Sequence, residues 1–107
     1  MITVIFTKEG DAWKGVECSG HAGYADAGED IYCSAVSALV TNTCNSLEVL
    51  TGDAHLVETD DGYLKILFSQ TPSEKGKLLI DSLLLGLSSI SKTCNEEFLQ
   101  IIVRETE

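Results

Sequence analysis

Positive charge is scarce in this sequence: seventeen acidic residues stand against seven Lys and Arg, for a formal net charge of −10. Phosphate contacts need a basic surface, so direct nucleic-acid binding is not expected, and basic proteins are the partners such a chain attracts. Long apolar runs are missing too. The longest, Leu78 to Leu87, is broken by Asp81 and falls far short of the roughly 20 residues that span a bilayer. The opening Met-Ile-Thr-Val-Ile-Phe-Thr has no charged segment, long apolar stretch or small-residue cleavage site, so neither export nor membrane association is expected and the location expected is cytoplasmic. There the four cysteines, at 18, 33, 44 and 94, read as reduced thiols and not as a disulfide framework. Spaced with His21, Cys18, Cys33 and Cys44 match no familiar zinc pattern, and no metal or organic cofactor is expected. Repeats, linkers and low-complexity segments are absent as well. What is left is one domain over residues 1–107, whose 44% apolar composition supports a modest core of the kind a partner often completes.

Residues 2 to 8 alternate with Ile2, Val4 and Phe6 on one face, the period of a strand. A turn at Gly10-Asp11 leads to a second strand, Trp13 to Gly20, with Val16 and Cys18 on one face, which closes a hairpin. Val36, Leu39, Val40, Thr43, Cys44, Leu47 and Leu50 recur at three and four residues and predict an amphipathic helix over about 31 to 51. Strands 54 to 59 and 63 to 69 follow, joined by the hairpin signal Asp61-Gly62. Thr71-Pro72-Ser73-Glu74 reads as a capping box, so a second helix is expected from there to about Cys94. Its core stripe is Leu79, Leu83, Gly86, Leu87, Ile90 and Cys94. Leu78, Ile80, Leu84 and Leu85 widen the apolar surface beyond what a small sheet covers, so a subunit interface is expected there. Residues 98 to 104 alternate again, with Leu99, Ile101 and Val103 inward. The order ββαββαβ predicts an α+β fold, a largely antiparallel sheet with two helices on its faces.

The second strand and first helix are joined by Gly20-His21-Ala22-Gly23-Tyr24-Ala25-Asp26-Ala27-Gly28-Glu29-Asp30-Ile31-Tyr32-Cys33. Asp30 is a good N-cap residue, which puts Cys33 at the third position of the first turn, facing unpaired amides and the positive end of the helix dipole. That setting favours thiolate, and His21 is the candidate imidazole partner across the strand-to-helix turn. Asp30 has two possible roles, capping the helix or orienting His21 as the third member of a triad. The backbone amides of Cys33 and Ser34 are the candidate oxyanion donors. Gly20, Gly23 and Gly28 permit close approach and motion, and Tyr24, with Asp26 and Glu29, offers contacts to a substrate; Ala22 to Glu29 is expected to be a mobile, lid-like loop. Cys18 reads as a buried strand residue, Cys44 as helix core, and His55 as solvent-facing or merely satisfied.

The segment GHAGYADAGEDIYCSAVSALV resembles the ribosomal-processing cysteine protease (Prp) family of small bacterial proteins, the specific part being the Gly-His-Ala turn, Gly-x-Asp-Ile-x-Cys and the Ala-Val-Ser helix start. The resemblance implies a His21–Cys33 catalytic dyad, a mobile loop between them and a homodimer. It also implies a substrate: a large-subunit ribosomal protein whose N-terminal extension is removed. Tyr32 and Ser34 stand where the family pattern has an aliphatic residue and an alanine. The reaction so implied is peptide hydrolysis through a thioester on Cys33. Two other readings are carried beside it: a non-enzymatic, acidic ribosome-assembly or interaction module, and another small thiol acyl hydrolase.

Overall fold

In a computed structural model, residues 1–20, 27–94 and 97–106 are described, with the side chains of 27–30 left aside. The elements are β1 (Ile2–Glu9), β2 (Ala12–Ser19), α1 (Ala27–Leu50), β3 (His55–Asp60), β4 (Tyr63–Phe68), α2 (Glu74–Thr93) and β5 (Leu99–Glu105). The five strands form one sheet in the order β3-β4-β2-β1-β5, antiparallel except for β1 against β5. The expected α+β order ββαββαβ is therefore the observed one. Both helices lie on a single face of the sheet, where the sequence reading had them on its faces. Val4, Phe6, Val16 and Ile66 project to that side and pack with Val36, Val40, Leu47, Ile80, Leu83 and Leu87 in one core. The opposite face carries Thr3, Ile5, Glu17, Lys65 and Leu67, with Leu67 44% exposed.

Strand alternation alone would turn Trp13 away from Val16's side. A register shift at Thr7/Lys8, where Thr7 pairs with Gly15 but Lys8 with Trp13, makes Lys14 the extra residue of a bulge. The bulge brings the Trp13 ring edge-on to Phe6, with centroids 5.7 Å apart, and its Nε1 donates to Asp81 Oδ1 of α2 at 2.7 Å. Asp81, which only interrupted an apolar run in the sequence, thus ties α2 to the sheet.

Three expectations about the helices are corrected. First, α1 begins at Ala27, so Asp30 lies inside the helix and is not its N-cap, and Gly28 and Glu29 belong to the first turn instead of the loop. Alanine's high helix propensity and the attraction of acids to a helix N-terminus both favour the earlier start. Second, the cap of α2 is Ser73, not Thr71. Ser73 Oγ accepts from the Gly76 amide at 3.2 Å, while the Ser73 N–H and O–H donate to the Asp53 carboxylate at 3.0 and 2.9 Å. Third, the buried stripe of α2 is Gly76, Ile80, Leu83, Leu87 and Ser91. Ile80, expected between subunits, is fully buried in this core, whereas Leu50, expected inside, is 61% exposed.

Candidate active site

The carboxyl end of β2, the second and later turns of α1, and the tip of the β3–β4 hairpin converge on one side of the helix layer. Cys33 sits on α1, half-buried and packed against the edge of the core. Cys18 of β2 pairs with Val4 and Leu64, and all three point toward the helices. The two thiols are close enough to interact. Burial first, and then the charge of Cys33, push the Cys18 thiol up to about 11, so Cys18 stays neutral at physiological pH. The expectation that Cys18 is a structural strand residue agrees with this environment.

Beyond Cys33, α1 presents Ser37, Val40 and Thr41, at four, seven and eight residues along the chain and so on its own side of the helix. These three form one wall of a cleft of about 400 Å³. Cys18 and Gly20 form its end, and the hairpin residues Asp60, Asp61, Gly62, Tyr63 and Leu64 form the other wall. The hairpin tip is fastened to β2: the Gly20 N–H donates to the Gly62 carbonyl at 3.0 Å. Gly20 also has φ of 83°, and a Cβ there would run into the Met1 carbonyl oxygen, so only glycine fits. Gly20 was expected as part of a mobile loop. It is a fixed post from which the segment carrying His21 leaves.

His21, Ala22, Gly23, Tyr24 and Asp26 lie outside the described residues, as do the side chains of Glu29 and Asp30. The expected oxyanion role of the Cys33 and Ser34 amides does not suit this geometry. In an α-helix that starts at Ala27, those amides are committed to the carbonyls of Glu29 and Asp30, and only the first four amides of the helix are free. Tyr32, the departure from the family pattern, turns to the start of β5 and stacks on Phe98, with centroids 5.3 Å apart and planes at 26°. Ser34 is exposed. His55 places Nδ1 2.8 Å from the Asp53 carbonyl oxygen and its ring against Phe68, a satisfied position on the edge strand. Among the described residues, no group of three His, Cys, Asp or Glu side chains is arranged to hold a metal ion, and no helix is long and apolar enough to cross a membrane.

The sequence reading missed the cleft wall on α1 and the hairpin tip. The former was legible in principle, because Ser37 and Thr41 follow Cys33 at helical spacing. The latter was not, because the approach of Gly62 to Gly20 depends on β4 pairing with β2 across the sheet.

The family model described as cysteine protease Prp matches residues 1–98. The ribosomal processing cysteine protease Prp of Bacillus subtilis (strain 168) is 32% identical over 82 residues, covering 71% of this chain and 73% of the relative. The protein of the same name from Staphylococcus aureus (strain Mu50 / ATCC 700699) is 31% identical over 79 residues, covering 72% and 74%. Among solved structures, SMU.848 from Streptococcus mutans superposes with a TM-score of 0.88 at 35% identity, over 99% of this chain and 96% of that one. The S. aureus ribosomal processing protease Prp with a covalently linked product peptide gives 0.86 at 27% identity, over 97% and 100%. A thiol beside a cleft, on a chain that matches this family from its first strand to Phe98, is a cysteine peptidase's arrangement, and the chain belongs to the cysteine protease Prp family.

Proposed function

We propose that this cysteine peptidase removes the N-terminal extension of a large-subunit ribosomal protein in the cytoplasm, with Cys33 as nucleophile and His21 as its base. The observation that carries the assignment is the placement of Cys33: a half-buried thiol on α1, one helical turn before a cleft of about 400 Å³, next to a second thiol held neutral. Support for the substrate comes from the relatives, since the S. aureus protein is described as a ribosomal processing protease and has been solved with a substrate peptide and with a linked product peptide. The acidic balance of this chain suits a basic ribosomal protein.

The chemistry runs in two halves. The Cys33 thiolate, its proton held by His21, attacks the scissile carbonyl and forms a tetrahedral oxyanion. The C–N bond then breaks, His21 gives its proton to the leaving amine, and an acyl thioester remains on Cys33. Water, deprotonated by His21, cleaves the thioester and restores the thiol. Asp30 serves by orienting His21 or through the charge it adds near the start of α1. Tyr24, with Ala22, Gly23 and Asp26, contacts the substrate from the segment between Gly20 and α1. Two copies associate through the exposed leucines of α2.

The test is incubation with the extended ribosomal protein from the same cell, read by mass. Wild-type protein should release the extension, and Cys33→Ala should release none while keeping the same melting temperature. Cleavage by Cys33→Ala would sink the assignment.

A further inference from the structure

Resting on the protease reading and deepening it, we propose that the stack of Tyr32 on Phe98 is a positioning contact that holds the neighbouring nucleophile, Cys33, in place for attack on the scissile carbonyl. Tyr32 is one of the two positions at which this chain departs from the family pattern, so the contact is a device of this chain.

The turn of α1 that carries Cys33 has few other holds. Ile31 is 69% exposed and Ser34 is exposed, and among the described side chains Val36 is the first of α1 to be buried. Between them, Tyr32, Cys33 and small Ala35 are half-buried, and Tyr32 is by far the largest of the three. Its ring lies 5.3 Å from that of Phe98 with the planes at 26°, a stacked pair whose attraction exceeds plain burial. The partner ring stands on a fixed segment. The Phe98 carbonyl accepts the Ile2 N–H at 2.9 Å, which ties it to β1. Leu99, next in the chain, is fully buried, and its carbonyl accepts from Ser91 Oγ of α2 at 3.0 Å. Through Phe98 the second turn of α1 is therefore held to both the sheet and α2. Adjacent helical residues point about 100° apart. With Tyr32 held toward the start of β5, the Cys33 thiol is turned to the side where Cys18 and the cleft lie. Attack needs the sulfur about 3–3.5 Å from the carbonyl carbon, and a misplacement of about 1 Å can cost on the order of 10²-fold in rate. Alanine at position 32 leaves the Phe98 ring uncovered and the turn free to rotate or fray.

The test is steady-state cleavage of a peptide spanning the processing site, with the melting temperature measured alongside. Tyr32→Ala and Phe98→Ala should each lower kcat roughly 10- to 100-fold with KM unchanged, because the cleft residues beyond Cys33 stay where they are. The double variant should be no slower than either single one, as two side chains that act as one contact require. Tyr32→Phe should keep the wild-type kcat, since stacking uses the ring and not the hydroxyl. Phe68→Leu, a core change at the His55 end of β4, away from the cleft, should lower the melting temperature and leave kcat alone, which separates positioning from loss of stability. If either alanine variant fails to fold, Tyr32→Leu and Phe98→Leu take their places in the same cycle. Wild-type kcat in the single variants, losses that multiply in the double variant, or a loss in Tyr32→Phe each overturns the positioning role, while Cys33-dependent cleavage keeps the protease reading. Absence of any Cys33-dependent cleavage overturns both.

Discussion

Cys18 and Cys33 share a neighbourhood and differ in what their environment permits. Cys18 is held between two strands with its side chain under the helix layer, and its thiol is pushed up to about 11 by burial and by Cys33. Cys44 is raised as well, by burial. A thiol in that state is a poor nucleophile near neutral pH, because thiolate is the reacting form. Iodoacetamide at pH 7 should therefore spare Cys18 and Cys44, and peptide mapping should find the label on Cys33; equal labelling of Cys18 would contradict the assignment. A pH effect on stability follows with a definite sign. A pKa raised on folding means that the folded state resists ionisation, so the contribution is intact below the unfolded thiol value of about 8.5. It is lost as pH rises toward about 11. The melting temperature should fall across that window, and Cys18→Ala should flatten the fall. Of these properties, the sequence disclosed the candidate thiol and the structural character of Cys18. Their proximity was hidden, because it depends on how α1 packs over the sheet, which brings residues 15 positions apart within electrostatic reach in a way that periodicity cannot report.

The elements that build the site were legible wherever the pattern was local. Strand alternation in β1, the Asp61-Gly62 turn and the stripe through α1 all depend on neighbours within a few residues, and each appears where the pattern placed it except at the end of α1, where Leu50 is exposed. The failures are tertiary. Asp53, twenty residues away, takes the donors of Ser73 and makes it the cap of α2 in place of Thr71. Ile80 and Leu79 are equally apolar, and the sequence turned the wrong one inward because the rotation of α2 is fixed by what it meets: the core along Ile80, Leu83 and Leu87, Asp53 and Pro72 at Gly76, and α1 near Gly86, where a Cβ would sit 3.1 Å from Leu39. The β2 bulge then makes Asp81 a strut, through Trp13 at 2.7 Å and Lys77 at 3.0 Å. Partial burial acts to raise the Asp81 pKa, but the hydrogen bonds from Trp13 and Lys77 and the lysine charge outweigh it and hold the carboxyl below its ordinary value. Asp81→Ala should cost about 1–3 kcal/mol, since it strands the indole N–H of a buried tryptophan. Chemical denaturation measures it. The carboxylate's contribution is present above the unfolded Asp pKa of about 3.9 and is lost as pH falls through the lower folded value, so the difference from wild type should narrow in acid. A constant difference down to pH 2 would assign the loss to shape and not to charge.

At the scale of the whole molecule, a two-layer fold leaves one side of each layer to solvent, and on this protein the helix side carries the greater apolar excess. Leu78 and Leu85 are 67% and 71% exposed on α2, with half-buried Leu84 beside them. The apolar surplus read from the sequence is thus real, although Ile80 does not belong to it. Removing such leucines from water contributes about 1.5–3 kcal/mol each, enough for a few of them to hold two copies together. The buried and exposed members of the same helix separate association from folding. Leu85→Glu should give a folded monomer in sedimentation equilibrium, with the circular dichroism of the wild type, whereas Ile80→Glu should lose the fold itself, because it places a charge in a sealed core. Among the described residues, the cleft beside Cys33 is walled by α1 and the β3–β4 hairpin and takes no residue from α2. A Leu85→Glu monomer should consequently still react with iodoacetamide at Cys33, so that association is a matter of stability and not of site assembly. Sedimentation showing the wild type monomeric at micromolar concentration would remove the dimer, and loss of Cys33 labelling in the folded monomer would show that the partner completes the site.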